Sequence, residues 1–313
     1  MPLTMTAARC DDQVMTSTMH IRVGYDGSPS SAEAVMWAAD EAAQRTAPLL
    51  VVSCFQMPAS GVEAYGWVPT EAIASMREAA DASLHEMQER IAKVHPELHV
   101  TVEAAPGPAS AVLADGLSPA DMLVLGASNH SGAAAFWLGS TPRHLARHCP
   151  CAVVVIRGAA SRGRPDRIVV GIDGSSASDQ ALRWAADEAD LHGVSLHVVH
   201  AWNYAYYEVN AGGTSAQARD LTEIDAACVL DRAIEAARER SGATVTSALV
   251  EMPAVTGLLD VVQDGDLLVV GASGRGAVMA GLLGSTVNTI LERCAVPVVV
   301  VPTSVQSVPT ATS

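Results

Sequence analysis

Lysine is almost missing from this chain: of its 19 basic residues, Lys93 alone is not an arginine. A phosphate loop of the Gly-x-x-x-x-Gly-Lys-Ser/Thr kind needs a lysine on the phosphates, and Lys93 lies on a polar stretch far from either glycine-rich segment. Schiff-base chemistry would likewise have only Lys93 to use, so both mechanisms are set aside. Aromatic residues make up 4% of the chain, with two phenylalanines, so its cores must be aliphatic. Positive charge is also short, with 34 acidic residues giving a net charge of -15 at pH 7. A nucleic-acid partner needs a basic face, and this balance argues against one. No apolar run approaches the ~18 residues that would read as a membrane span. The first eighteen residues lack the apolar core of a signal peptide and read as a short tail. The six cysteines form no regular framework, so reduced thiols and a cytoplasmic location are expected. Cys149-Pro150-Cys151 has no second cysteine pair to complete a metal site. Histidines such as His85, His95 and His144 show no metal-ligand spacing across the halves and read as surface or loop residues.

What is present is a duplication. Gly126-Ala127-Ser128-Asn129, nine residues, then Gly139-Ser140 returns as Gly271-Ala272-Ser273-Gly274, nine residues, then Gly284-Ser285. Val23-Gly24-Tyr25-Asp26-Gly27-Ser28 returns as Val170-Gly171-Ile172-Asp173-Gly174-Ser175. The Trp37 helix is echoed at Trp184, and Cys149 before a valine run is echoed by Cys294. The offset is 147 residues early in the unit and 145 later, far above solenoid repeat lengths, so the repeated unit is a whole domain.

Each unit reads as five strands alternating with four helices. In the first, strands are expected over 21–25, 49–54, 99–103, 122–125 and 152–156. Helices are expected from Pro29 to about 45, in a long stretch ending before Pro96, near 109–116, and over 140–148. Apolar runs without alternation are typical of strands buried on both faces in parallel sheets. The fold class expected is α/β, with two tandem, doubly wound, five-stranded parallel sheets. The boundaries read as a tail over 1–18, a first domain over 19–158, a linker over 159–166, a second domain over 167–302 and a tail over 303–313.

In such sheets ligands sit beyond the carboxyl ends of the strands, where the chain order reverses. Asp26 or Asp173 and the glycine loop of the same unit should therefore converge on one site. Glycines let backbone N–H groups approach an anion closely. Ser285 and Thr286 fall at a helix start, where hydroxyls and unpaired N–H groups bind phosphate, and Arg275 adds charge. Ser285 as a simple helix cap is the plainer reading of one such loop; two matched copies favour a phosphorylated ligand.

The Gly-x2-Gly-x9-Gly-Ser/Thr spacing, met in full by Gly271, Gly274, Gly284 and Ser285, resembles the universal stress protein family in its tandem form. The closing valine strand and the aspartate after the first strand resemble it too, over about residues 20 to 302. The resemblance implies a Rossmann-like fold of the adenine nucleotide alpha hydrolase kind, and ATP, with Mg²⁺ as an open question, between the first and fourth strands. It places the triphosphate on Gly271, Gly274, Arg275, Gly276, Gly284, Ser285, Thr286 and Val287, with Gly171, Asp173, Val199 and His200 toward the adenosine. In the first unit the corresponding residues are Gly24, Asp26, Val52, Gly126, Asn129, Gly132, Gly139, Ser140 and Thr141. There Asn129 replaces the second glycine and Ser131 stands at the place of Gly276, so a weaker or differently occupied first site is expected.

Phosphoryl transfer needs a positioned nucleophile and metal-binding groups beside a phosphate cradle, and only the cradle is visible. The expectation is a nucleotide-dependent regulatory protein in the stress response, with a regulatory protein partner that the sequence does not identify. A slow ATPase or an adenylyl-transfer enzyme using the aspartate loops with Mg²⁺ stays open beside it. Val298–Val301 reads as an apolar edge strand in need of a partner, and the resemblance implies domain pairing and a homodimer through it.

Overall fold

The structure is a computed structural model, and it describes residues 19–55, 70–127, 139–157, 164–203, 216–274 and 283–303. The expected tail over 1–18, the one over 303–313 beyond Thr303, and most of the linker lie outside these residues.

The first half runs β1 (Ile21–Gly24), α1 (Pro29–Arg45), β2 (Leu49–Phe55), α2 (Thr70–Val94), β3 (Val100–Pro106), α3 (Ala109–Ala114), β4 (Met122–Gly126), α4 (Ser140–His148) and β5 (Ala152–Ile156). The second repeats the order with β6 (Arg167–Ile172), α5 (Ser176–His192), β7 (Ser195–Trp202), α6 (Ala216–Arg240), β8 (Val245–Glu251), α7 (Ala254–Val261), β9 (Asp266–Gly271), α8 (Ser285–Arg293) and β10 (Val298–Val301). Local chemistry sets the helix ends. The Ser28 hydroxyl accepts from the Ser31 N–H at the start of α1, with Pro29 in the first turn, and Ser175 does the same for Ser178 at the start of α5. α5 stops at Gly193 in the left-handed region (φ 58°), where glycine costs least; α1 stops in the same conformation at Thr46 (φ 53°).

Within each half the strand order is that of a doubly wound sheet, and every pairing is parallel. The halves then join. β10 pairs antiparallel with β5, setting Val298 against Val155, Val299 against Val154 and Val300 against Val153. The result is one ten-stranded sheet in the order β3-β2-β1-β4-β5-β10-β9-β6-β7-β8. The valine edge expected to seek a partner finds it in the other half of the same chain. Its other side is taken by β9, so its backbone has no ladder left for a second subunit. The expected subunit pairing through this strand is thereby corrected.

Two aliphatic layers cover the sheet, and each runs across the seam. α1, α2, α5 and α6 pack on one face, with Leu84, Met87, Ile91, Leu182 and Leu230 among their contributions. α3, α4, α7 and α8 pack on the other, through Leu113, Leu145, Leu258, Ile290 and Leu291. Arg157, just past the end of β5, is buried: its guanidinium donates to the carbonyl of Leu291 on α8.

The seam also holds a buried polar cluster. Glu41 and Arg45 on α1 meet Glu188 and His192 on α5, and the two pairs occupy equivalent positions of the duplicated unit. Arg45 donates to both glutamates, and His192 Nε2 lies 3.1 Å from each. Burial alone would raise the Glu41 carboxyl, but Arg45 and His192 hold it down to about 2, whereas burial pushes the fully enclosed Glu188 up. Burial alone would lower the His192 imidazole, but Glu188 and Glu41 raise it to about 9. The two glutamates and His192 are close enough to suit a cation, with ligand atoms within 4.8 Å of one another. Arg45 and protonated His192 already neutralise both carboxylates, so the cluster is an ion-pair fastener between α1 and α5.

Candidate functional site

The first strand of each half lies between the second and the fourth, so their carboxyl ends open on one crevice. In the second half β6 delivers Asp173, and Gly174 (φ 74°) turns the chain into α5. The Asp173 Oδ1 accepts from the Ser175 N–H at 3.0 Å, an Asx turn that fixes the carboxylate. Its other oxygen points at the glycine loop: a Cβ built on Gly274 would lie 2.5 Å from Asp173 Oδ2. The aspartate and the second glycine of the loop are therefore in direct contact, as their expected convergence required. Gly274 is glycine because the carboxylate fills the space its side chain would need.

Gly271 has a different reason. A Cβ there would meet the Ala177 carbonyl group at 2.6 Å, so this glycine lets the first turn of α5 pack on the end of β9. Gly126 does the same against Ser30 and Ser31 of α1, at 2.6 to 2.8 Å. Gly24 and Gly171 make room for Leu113 and Leu258 on the opposite face of the sheet. Four of the glycines assigned to the ligand thus carry helix packing beneath the crevice.

Beyond the loop the chain returns through Gly284, whose N–H donates to the Ala272 carbonyl at 3.1 Å. Gly284 is the N-cap of α8, and no side chain caps that helix. The N–H groups of Ser285, Thr286 and Val287 lie in its first turn, where the helix has no internal acceptor for them and its dipole is positive. Ser285 is exposed and Thr286 half-buried, while the Val287 side chain is buried in the core, which leaves its main chain for the crevice. Val199 sits beside Gly171, and His200 donates from Nδ1 to the Ile172 carbonyl at 2.8 Å, bracing the end of β6. Arg275 and Gly276 lie outside the described residues.

The first half repeats this with changes. Gly27 (φ 80°) turns the chain, and Asp26 Oδ1 accepts from the Ser28 N–H at 3.0 Å. The Asp26 N–H donates to the Ser31 hydroxyl, and the Tyr25 N–H to the Val52 carbonyl at 2.8 Å. Burial would raise the Asp26 carboxyl, but hydrogen bonds centred on Ser28 and Ser31 hold it below its ordinary value. Gly139 caps α4, again without a side-chain cap, ahead of an exposed Ser140 and a half-buried Thr141. Asn129 and Gly132 lie outside the described residues. Three residues of the site escaped the sequence reading. Pro142 stands in the first turn of α4 where Val287 stands in α8, and proline has no N–H to offer an anion. The signal was in plain view, two positions past Ser140. Ser31 and Ser178, which brace the aspartate turns, were also missed because they read as ordinary helix serines.

Among the described residues, no helix is long and apolar enough to cross a membrane. Comparison with known proteins accounts for both halves. Universal stress protein Rv2005c of Mycobacterium tuberculosis is 33% identical over 298 residues, covering 89% of this chain and 95% of its own. Universal stress protein Rv2623 of the same organism is 29% identical over 296 residues, covering 91% and 96%. Among solved structures, a universal stress protein from Archaeoglobus fulgidus superposes with a TM-score of 0.59 at 19% identity, over 92% of this chain and 99% of its own. The sequence profile of the Universal stress protein family matches residues 18–157 and again 165–302, so this chain belongs to the universal stress protein family, with both of its halves.

Proposed function

We propose that the second half binds an adenine nucleotide, ATP, across the carboxyl ends of β6 and β9, and that the protein is a nucleotide-dependent regulator in the stress response. The observation that carries this reading is the junction of Asp173 with Gly274 beside an α8 that begins without a side-chain cap. Such a helix start offers main-chain N–H groups and two hydroxyls to phosphate oxygens, with no lysine required. In this reading Ser285, Thr286 and the amide of Val287 hold phosphate, Arg275 and Gly276 are the further phosphate contacts that the resemblance implies, and Asp173 with the end of β7 faces the nucleoside. A divalent ion such as Mg²⁺ takes most of its six oxygen ligands from phosphate and water; the single carboxylate of Asp173 fits it as a companion of the phosphates.

A homodimer belongs to the same reading through the family resemblance. It would use surfaces other than the β5 and β10 edges, which are paired within the chain.

The test is mass analysis of any small molecule released from the purified, denatured chain, with its stoichiometry, followed by an ATP titration of the emptied protein. Adenine nucleotide in at least one copy per chain is expected. The absence of both a retained nucleotide and saturable ATP binding would overturn the reading, and fast turnover stimulated by a second substrate would move it to the enzyme.

A further inference from the structure

The exposed face of α4 carries two histidines that neither the candidate nucleotide site nor the core uses. His144 and His148 are four residues apart, which places them one above the other on a helix. Both are exposed, and their rings stack with centroids 4.4 Å apart and planes at 29°. His148 Nδ1 lies 2.9 Å from the His144 carbonyl. A carbonyl only accepts, so Nδ1 carries the hydrogen and the Nε2 lone pair is directed away from that bond. An imidazole anchored to a carbonyl through one nitrogen while it offers the other is how metal-bound histidines are held. Among the described residues, the other exposed helical histidine, His85, is by contrast 3.4 Å from Glu89.

We propose that His144 and His148 form a surface chelate for a borderline first-row divalent ion: Ni²⁺, Cu²⁺ or Zn²⁺. Two imidazoles from successive turns supply neighbouring positions of the coordination sphere, and water completes it. Arg143 and Arg147 stand on the same helix, and Arg143 is bound to Glu292 at 2.5 Å. Their positive charge opposes any cation held by electrostatics alone, so the site depends on imidazole lone pairs and discriminates against Mg²⁺ and Ca²⁺, which require oxygen ligands. The carboxyl-terminal turn of α4, where His148 lies, contributes the negative end of a helix dipole. The site belongs to the first half only, because the equivalent positions on α8 are Thr289 and Arg293. This duplication retained the core-facing Leu145 as Ile290 but not the histidine pair.

Equilibrium dialysis of the untagged full chain against NiCl₂, with metal analysis, tests the proposal, and it is independent of nucleotide binding. Saturable binding is expected, unaffected by excess MgCl₂. His144→Gln and His148→Gln should each weaken it by about tenfold or more, since losing one donor turns a chelate into a single ligand. Both side chains are exposed, so the fold is retained, and a thermal melt of each variant verifies that. His85→Gln should leave binding unchanged. The proposal is overturned by the absence of saturable binding in the unaltered chain, by full affinity in either α4 variant, or by loss in His85→Gln.

Discussion

Arg45 of α1 donates to Glu188 of α5 across the seam between the halves, linking residues 143 apart in sequence. The same guanidinium holds Glu41 four residues away on its own helix, so one cation serves both buried carboxylates. Removing one member of a buried ion cluster leaves its partners charged and unpaired, at a cost of about 3–5 kcal/mol. Arg45→Ala should therefore lower the unfolding free energy by that amount in a urea titration followed by circular dichroism. A loss below about 1 kcal/mol would show that the cluster is not the fastener described.

His192 gives the seam a pH dependence of definite sign. Its folded value of about 9 stands above the ordinary imidazole value of 6.5, so its contribution is complete below pH 6.5 and is lost as pH rises through about 9. Arg45 faces it as the other cation, and Glu41 and Glu188 as the anions; of these, Glu41 at about 2 keeps its charge throughout that window. Melting temperature should fall between pH 7 and 10, and His192→Gln should flatten the fall while lowering the neutral value. A wild-type profile that is level to pH 10 would contradict the assignment.

Gly126 and Gly271 should be intolerant of alanine for a packing reason. A methyl group at either would meet backbone 2.6 Å away, and backbone cannot swing aside as a flexible side chain does. Overpacking of this kind costs about 1–3 kcal/mol. At Gly284 the nearest atom to a Cβ lies at 3.8 Å, an ordinary contact. Thermal melts should therefore separate Gly126→Ala and Gly271→Ala, both destabilised, from a near-neutral Gly284→Ala.

The two crevices should differ in affinity, with the second the tighter. Gly274→Ala sets a methyl group 2.5 Å from Asp173 Oδ2 and should reduce ATP affinity of the full chain by about tenfold or more, by forcing apart the two loops that meet there. Pro142→Val gives α4 the amide that α8 has at Val287 and should strengthen binding at the first half. Isothermal titration of the full chain reads both. Unchanged affinity in Gly274→Ala would place the nucleotide elsewhere.

Sequence alone determined the duplication, the alternation of strand and helix, and the placement of most elements, because these rest on local patterns. Ser28-Pro29 started α1 where a capping serine and an early proline predict, and the apolar runs of β4, β5, β9 and β10 announced burial on both faces. The contact of the aspartate turn with the glycine loop was legible too, since strand order dictates which loops share an end of the sheet. Tertiary structure decided the rest. Two valine strands reveal that each wants cover on every side, yet nothing in them names the partner or its direction; the antiparallel union of β5 with β10 follows from how two whole domains meet. In the same way, Glu41, Arg45, Glu188 and His192 look like solvated helix charges until α1 and α5 are brought together. Burial of a charge depends on its neighbours in space, and no local pattern carries those across more than a hundred residues.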